Sequence, residues 1–144
     1  MQVSDLMSRI VISTVGTTPV LEARALMQKE HIRHLLVVGD GRVQGIVTDR
    51  DIRLNMPSPA TSLSVWEVNH LLARLTVDRV MTRTVITIGP DRDARDAAQI
   101  MVDHKIGALP VLNGERLLGI VTETDLLRAF VESTRPAAAV LAKA

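Results

Sequence analysis

The chain has 144 residues and no cysteine, and its 17 basic and 16 acidic residues leave a formal charge of +1. A chain of this length can bury roughly 70% of its unfolded surface, so it needs no disulfide or metal to stabilise a core, and the missing cysteine excludes thiol catalysis and Cys-bound zinc. The near-neutral charge and the scarcity of aromatic residues (one Phe, one Trp, no Tyr) argue against a nucleic-acid partner.

The amino terminus shows no basic region followed by an apolar run, and no stretch approaches the ~20 apolar residues that a membrane-spanning helix needs. We therefore expect a soluble, cytoplasmic protein with no membrane partner.

The first half of the chain predicts the order β-α-β-β-α. A β-branched run indicates a strand at residues 10–12, and Thr18 followed by Pro19 indicates the start of a helix with Ala23, Leu26 and Met27 on one face. Two further strands are predicted at residues 34–38 and 43–48, joined by a turn at residues 39–41. A second helix is expected after Thr48.

A turn-rich linker at residues 57–62 follows. Ser64 and Glu67 then have the spacing of a capping box, which predicts another helix. Its apolar face must pack against something, either this chain or a second copy; the face consists of Val65, Val68, Leu71, Leu72 and Leu75.

The same order of elements repeats at a constant offset of 74 residues, from residues 5–53 to residues 79–127. A strand is predicted at residues 84–88, a helical face at Ala97, Ile100 and Met101, and strands at residues 109–112 and 117–122 around the hairpin signal Asn113-Gly114. A long period that occurs twice predicts two similar subdomains about a pseudo-twofold axis. We assign residues 1–56 to the first repeat, 57–78 to the linker, 79–134 to the second repeat and 135–144 to a tail.

Both repeats end in the run Gly-Ile-Val-Thr-x-x-Asp, at Gly45–Asp51 and at Gly119–Asp125. One interpretation is structural, because Thr at the end of a strand with an acid three residues later is the pattern of a helix cap. The other is functional: a helix start can bind an anion, a hydroxyl beside it can bind phosphate, and a carboxylate can accept both hydroxyls of a ribose. The sequence alone leaves both open.

This duplicated unit has Met-Ser/Thr-Arg near its start, Ile-x-x-Leu-x-Val in its middle and the shared run at its end. It resembles a tandem pair of cystathionine-β-synthase (CBS) domains, the Bateman module, and residues 58–65 resemble the CBS pair of acetoin-utilisation-type proteins without their ACT domain. The resemblance implies an α/β (α+β) fold with helices packed on three-stranded sheets. It also implies regulatory binding of adenosine compounds such as AMP, ADP, ATP or S-adenosylmethionine.

The resemblance further implies two ligand clefts to which both repeats contribute. Carried onto this chain, one cleft uses Ser8, Val11, Ile32, His34 and Leu35 with Thr122 and Asp125; the other uses Thr82, Val85, Ile106, Ala108 and Pro110 with Thr48 and Asp51. Cations that could pair with phosphate are Arg33 and His34 for the first cleft and Arg50 for the second. Solvated surface charges are the alternative interpretation of these three.

Neither a metal site nor an active site is expected. The four histidines lack ligand spacing, there is no Gly-rich phosphate loop, and no nucleophile has a base near it in the sequence. We expect a nucleotide-sensing homodimer without a catalytic cofactor, whose state a regulated protein reads. The alternative is a ligand-free dimerisation or interaction module with vestigial clefts, suggested by Trp66 and the stripe Leu71, Leu72 and Leu75.

Overall fold

The computed structural model describes residues 1–58 and 60–135, which fall into two compact units. The repeat-1 unit runs from Val11 to Val85. The repeat-2 unit combines Met1–Ile10 with the described residues from Ile86 onward. The first ten residues of the chain therefore fold with the second repeat rather than with the first.

The mixed helix and strand architecture agrees with the predicted class. In chain order the elements are α1 (Val3–Leu6), β1 (Ser13–Thr14), α2 (Val20–Lys29), β2 (His34–Gly39), β3 (Arg42–Thr48), α3 (Asp49–Leu54), α4 (Val65–Arg74), a 3₁₀ turn (Val77–Arg79), α5 (Ala94–His104), β4 (Ala108–Asn113), β5 (Arg116–Thr122) and α6 (Glu123–Ser133).

The sheet of the repeat-1 unit has the order β1-β2-β3, with β1 parallel and β3 antiparallel to β2. Asp40 and Gly41, which join β2 to β3, have φ values of 53° and 73°, as a two-residue turn of the mirror-image type requires. Because side chains alternate along a strand, Leu35, Val37 and Val47 share one sheet face. They form a core with buried residues of α2 and α3, with the first residue of the 3₁₀ turn, and with the two residues that follow that turn.

The repeat-2 unit has the same hairpin between β4 and β5, and its core joins Leu109, Val111 and Val121 to α5 and α1. Its third strand is reduced to one parallel bridge between Ile88 and Val111. The predicted strand at residues 84–88 is therefore wrong in extent, as is the strand at residues 10–12, where the regular strand is Ser13–Thr14 instead.

Each sheet is extended on its far side by a Met-Ser/Thr-Arg segment. Ser8 pairs antiparallel with Ile120, and Thr82 pairs antiparallel with Ile46. The segment at the start of each repeat thus lies on the last strand of the other repeat's sequence. This arrangement explains the glycine of the shared run: a Cβ on Gly119 would lie 2.5 Å from the Ser8 carbonyl oxygen.

One helix prediction needs correction, and a second is confirmed at its cap but only partly along its apolar face. Helix α2 begins after Pro19, which is itself the N-cap residue, so Thr18 is not the cap. The capping box of Ser64 and Glu67 on α4 is confirmed, with the Glu67 N–H donating to the Ser64 hydroxyl over 3.2 Å. The α4 face is divided, because Leu72 is buried while Leu71 is 52% exposed.

Candidate functional site

The shared run forms a capping box in the repeat-1 unit. The Asp51 N–H donates to the Thr48 hydroxyl over 3.1 Å, and the Thr48 N–H donates to Oδ2 of Asp51 over 2.9 Å. Both residues are half-buried. The structural interpretation of this motif is therefore correct.

The repeat-2 unit repeats this geometry. The Asp125 N–H donates to the Thr122 hydroxyl over 3.3 Å, and the Thr122 N–H donates to Oδ2 of Asp125 over 2.8 Å. The Thr122 hydroxyl also lies 3.0 Å from that same oxygen, to which it can donate. Because equivalent strands end in the same cap, the repeat is present in the structure as well as in the sequence.

The caps leave hydrogen-bonding capacity unused. Each box occupies only Oδ2 of the carboxylate. Oδ1 of Asp51 has no partner among the described residues, and Oδ1 of Asp125 meets only the 65%-exposed Arg128 at 3.8 Å. An exposed ion pair of this length contributes little. The Thr48 hydroxyl accepts a bond but finds no acceptor of its own in the described part of the chain. A cap and a ligand can therefore share these residues.

The other predicted site residues are divided between the two compact units. The repeat-1 unit brings Thr82 and Val85 together with Thr48, Arg50 and Asp51, and the repeat-2 unit brings Ser8 together with Thr122 and Asp125. The former unit also holds Val11, Ile32, Arg33, His34 and Leu35, and the latter holds Ile106, Ala108 and Pro110.

Exposure differs among these residues. Ser8, Arg33, Arg50 and Thr82 are exposed, and Val11, His34 and Val85 are half-buried. Ile32 and Ile106 are half-buried and pack against the two cores. The surface residues can meet a ligand without any rearrangement of the core.

Three of the predicted contacts are buried: Leu35 lies in the repeat-1 core, and Ala108 and Pro110 are buried in the repeat-2 unit. The sequence equivalent of Leu35 is Leu109, which is likewise in a core, whereas the equivalent of the predicted Pro110 is Leu36. Leu36 lies on the opposite face of β2 from Leu35, as alternation requires. Both side chains are fully buried, so burial does not distinguish Leu36 from Leu35 as a ligand contact.

Among residues 1–58 and 60–135, no three His, Asp or Glu side chains come together as a metal site requires. No helix in those same ranges is long and apolar enough to cross a bilayer.

Comparison with known proteins identifies the family. The sequence model of the CBS domain matches residues 3–58 and again residues 77–132. The chain belongs to the CBS domain family and carries two copies of the domain.

Some curated relatives carry this region as part of longer proteins. An uncharacterized protein of Methanocaldococcus jannaschii, MJ1404, is 33% identical over 135 residues, which are 91% of this chain and 32% of that protein. Homoserine O-acetyltransferase of Methanosarcina acetivorans is 34% identical over 130 residues, 89% of this chain but 22% of the enzyme. The chain thus spans less than half the length of these relatives, and the shared CBS pair is a regulatory, generally non-catalytic module.

Solved structures share the whole fold. The CBS pair of MJ0100, solved in complex with 5′-methylthioadenosine and S-adenosylmethionine, has a TM-score of 0.77 at 28% identity, covering 93% of this chain and 98% of that one. A proposed acetoin utilization protein (AcuB) of Vibrio cholerae has a TM-score of 0.75 at 27% identity, covering 94% and 98%. MJ1225 of Methanocaldococcus jannaschii, a proposed archaeal homologue of γ-AMPK, has a TM-score of 0.74 at 32% identity, covering 90% and 47%. The resemblance to CBS pairs of the acetoin-utilisation type is confirmed.

Proposed function

We propose that this CBS pair is a regulatory module that binds an adenosine ligand: AMP, ADP, ATP or S-adenosylmethionine. The observation that carries the proposal is the duplicated Thr-x-x-Asp cap, in which each carboxylate keeps an oxygen outside the capping box. The complex of MJ0100 with two adenosine compounds supports the choice of ligand class.

The ligand chemistry follows from the hydrogen-bonding atoms that each capping box leaves unused. A carboxylate oxygen accepts hydrogen bonds from the 2′- and 3′-hydroxyls of a ribose, the feature that all adenosine ligands share. The Thr48 hydroxyl can donate to a phosphate oxygen, and the exposed Arg50 two residues later can pair with the same phosphate. S-adenosylmethionine has no phosphate, so these two residues favour AMP, ADP or ATP at the first cap.

The proposal keeps the remaining site residues that the resemblance assigned. A nucleotide-dependent change of state would then be read by a regulated protein, which requires that the ligand bind the two states with different affinity. Cytoplasmic residence belongs to the same proposal, since that is where these nucleotides signal metabolic state.

Isothermal titration of the chain with AMP, ATP and S-adenosylmethionine tests the proposal. Asp51→Ala and Asp125→Ala each remove charge-assisted bonds to the ribose and should weaken binding about 10- to 100-fold. Glu67→Ala is the matched control, because it removes the equivalent acid from the capping box of α4. Absence of heat with every ligand up to millimolar concentration refutes the proposal.

The second candidate is a ligand-independent interaction module, favoured by apolar side chains that the described chain leaves exposed. Val65 and Trp66 on α4 are 74% and 85% exposed, and Leu127 and Phe130 on α6 are 64% and 66% exposed. Such exposed apolar groups are typical of a surface that a partner covers, and a homodimer is the partner we propose. Analytical ultracentrifugation of Trp66→Glu and Phe130→Glu distinguishes the α4 surface from the α6 surface. A monomeric wild-type protein would remove this candidate.

A further inference from the structure

The first ten residues of the chain fold into a unit to which they are not directly joined. Met1–Ile10 is part of the repeat-2 unit, whereas the next residue, Val11, begins the repeat-1 unit. The rest of the repeat-2 unit starts only at Ile86. Between the segment and the unit that holds it, the chain therefore runs through the whole repeat-1 unit.

Backbone hydrogen bonds and one buried side chain hold this segment in place. The Val3 N–H donates to the Arg92 oxygen over 2.8 Å, and Ser8 exchanges two bonds with Ile120. The Val3 side chain is fully buried in the repeat-2 core. All of the groups that hold the segment belong to the repeat-2 unit, so the same contacts form whichever copy of the chain supplies the segment.

The junction between the segment and the repeat-1 unit has a strand-forming sequence that the single chain does not use. The run Ile10–Ile12 is β-branched throughout, yet the regular strand begins only at Ser13. The Ile10 side chain is 83% exposed. The second repeat has Thr84 at the equivalent position, so the fold does not require a large apolar side chain there.

We propose that two copies of this chain exchange their Met1–Ile10 segments, so that each copy completes the repeat-2 unit of the other. Exchange of an identical element keeps the contacts that hold it, which makes exchange a low-cost route to a dimer. In this dimer the two Ile10–Ile12 runs extend and pair with each other as antiparallel strands. The pairing gives the run a partner and covers the Ile10 side chain.

Exchange also changes the composition of the second cap's surroundings. Ser8 lies in the same unit as Thr122 and Asp125, so in the exchanged dimer one copy supplies the serine and the other supplies the capping box. The proposal rests neither on adenosine binding nor on the exposed apolar side chains of α4 and α6.

Cysteine cross-linking of the full chain tests the exchange, because the chain has no cysteine of its own. Gln2 and Asp93 are exposed and pair antiparallel, which brings their Cα atoms to about 5 Å, a separation that a disulfide can span. A tagged chain with Gln2→Cys is warmed at high concentration with an untagged chain carrying Asp93→Cys and is then oxidised. Both substitutions in one chain give the reference for a pair that can close.

Exchange predicts a disulfide-linked dimer of one tagged and one untagged chain. The matched control replaces Asp93→Cys by Gln99→Cys, which is exposed on the same helix but is not paired with Gln2. Its yield measures random collision, and the paired cysteines should exceed it about tenfold because exchange holds them together.

The junction is tested separately. Ile10→Thr introduces the residue of the second repeat and should lower the yield of the linked dimer about tenfold, because the apolar surface that pairing covers is lost. Val15→Thr, at a 51% exposed position outside the junction, should leave the yield unchanged. Two results would overturn the proposal: a yield no higher than that of the Gln99→Cys control, or a yield that Ile10→Thr does not lower.

Discussion

Replacing Gly119 with alanine should separate the amino-terminal segment from the sheet of the repeat-2 unit. A Cβ at this position would lie 2.5 Å from the carbonyl oxygen of Ser8 and 3.0 Å from Sδ of Met7. The methionine can rotate away, but the carbonyl belongs to backbone that is held by hydrogen bonds on both sides. The Ser8 N–H donates to the Ile120 oxygen over 2.8 Å, and the Ile120 N–H donates to the Ser8 oxygen over 3.0 Å.

The magnitude follows from the displacement that is needed. Ordinary contact with a Cβ begins near 3.4 Å, so the segment must move by nearly 1 Å, which stretches both hydrogen bonds towards loss. Two lost bonds cost about 1 kcal/mol each, and residual overpacking costs about 1 kcal/mol more. A total of about 3 kcal/mol lowers the melting temperature of a chain of this size by roughly 6–12 °C.

Thermal unfolding followed by circular dichroism measures the effect. Gly45→Ala should have a smaller effect, because the equivalent contact, to the Thr82 oxygen, is 2.9 Å. Gly89→Ala is the control: its Cβ would meet only Cγ of Arg92 at 3.8 Å, so its melting temperature should stay near that of the wild type. If the melting temperatures of Gly119→Ala and Gly89→Ala differ by less than about 2 °C, the position does not require glycine for the close packing of the Ser8 segment on β5.

Three further outcomes follow from the contacts. Thr122→Val removes the hydroxyl that caps α6 and should lower the free energy of unfolding by about 1 kcal/mol in urea denaturation; no change would mean that the carboxylate of Asp125 caps alone. Leu72→Ala should cost about 2–5 kcal/mol, whereas Leu71→Ala should stay within about 0.5 kcal/mol, and equal losses would contradict the division of the α4 face. Ser64→Ala should speed amide hydrogen exchange in the first turn of α4 but not in α2, and uniform acceleration would show that α4 does not open on its own.

Features that depend on near neighbours were predictable from the sequence. The capping boxes at Thr48, Ser64 and Thr122 each join residues three apart, so their spacing alone indicates the bonds that form. The hairpin predicted from Asn113-Gly114 is equally local; Gly114 has a φ of 65°, although Asn113 ends β4 and the two turn residues are Gly114 and Glu115.

The strand with which each Met-Ser/Thr-Arg segment pairs could not be predicted from neighbouring residues. Ser8 and Thr82 lie in nearly identical segments, and Ile46 and Ile120 lie in identical runs, so local chemistry gives each segment two equally suitable strands. Only the tertiary structure decides that each pairs with the last strand of the other repeat. The sequence by itself determined the duplicated unit, its caps and its turns, because those rest on interactions within a few residues. The strand with which each Met-Ser/Thr-Arg segment pairs rests on contacts far apart in the chain, which only the folded chain brings together.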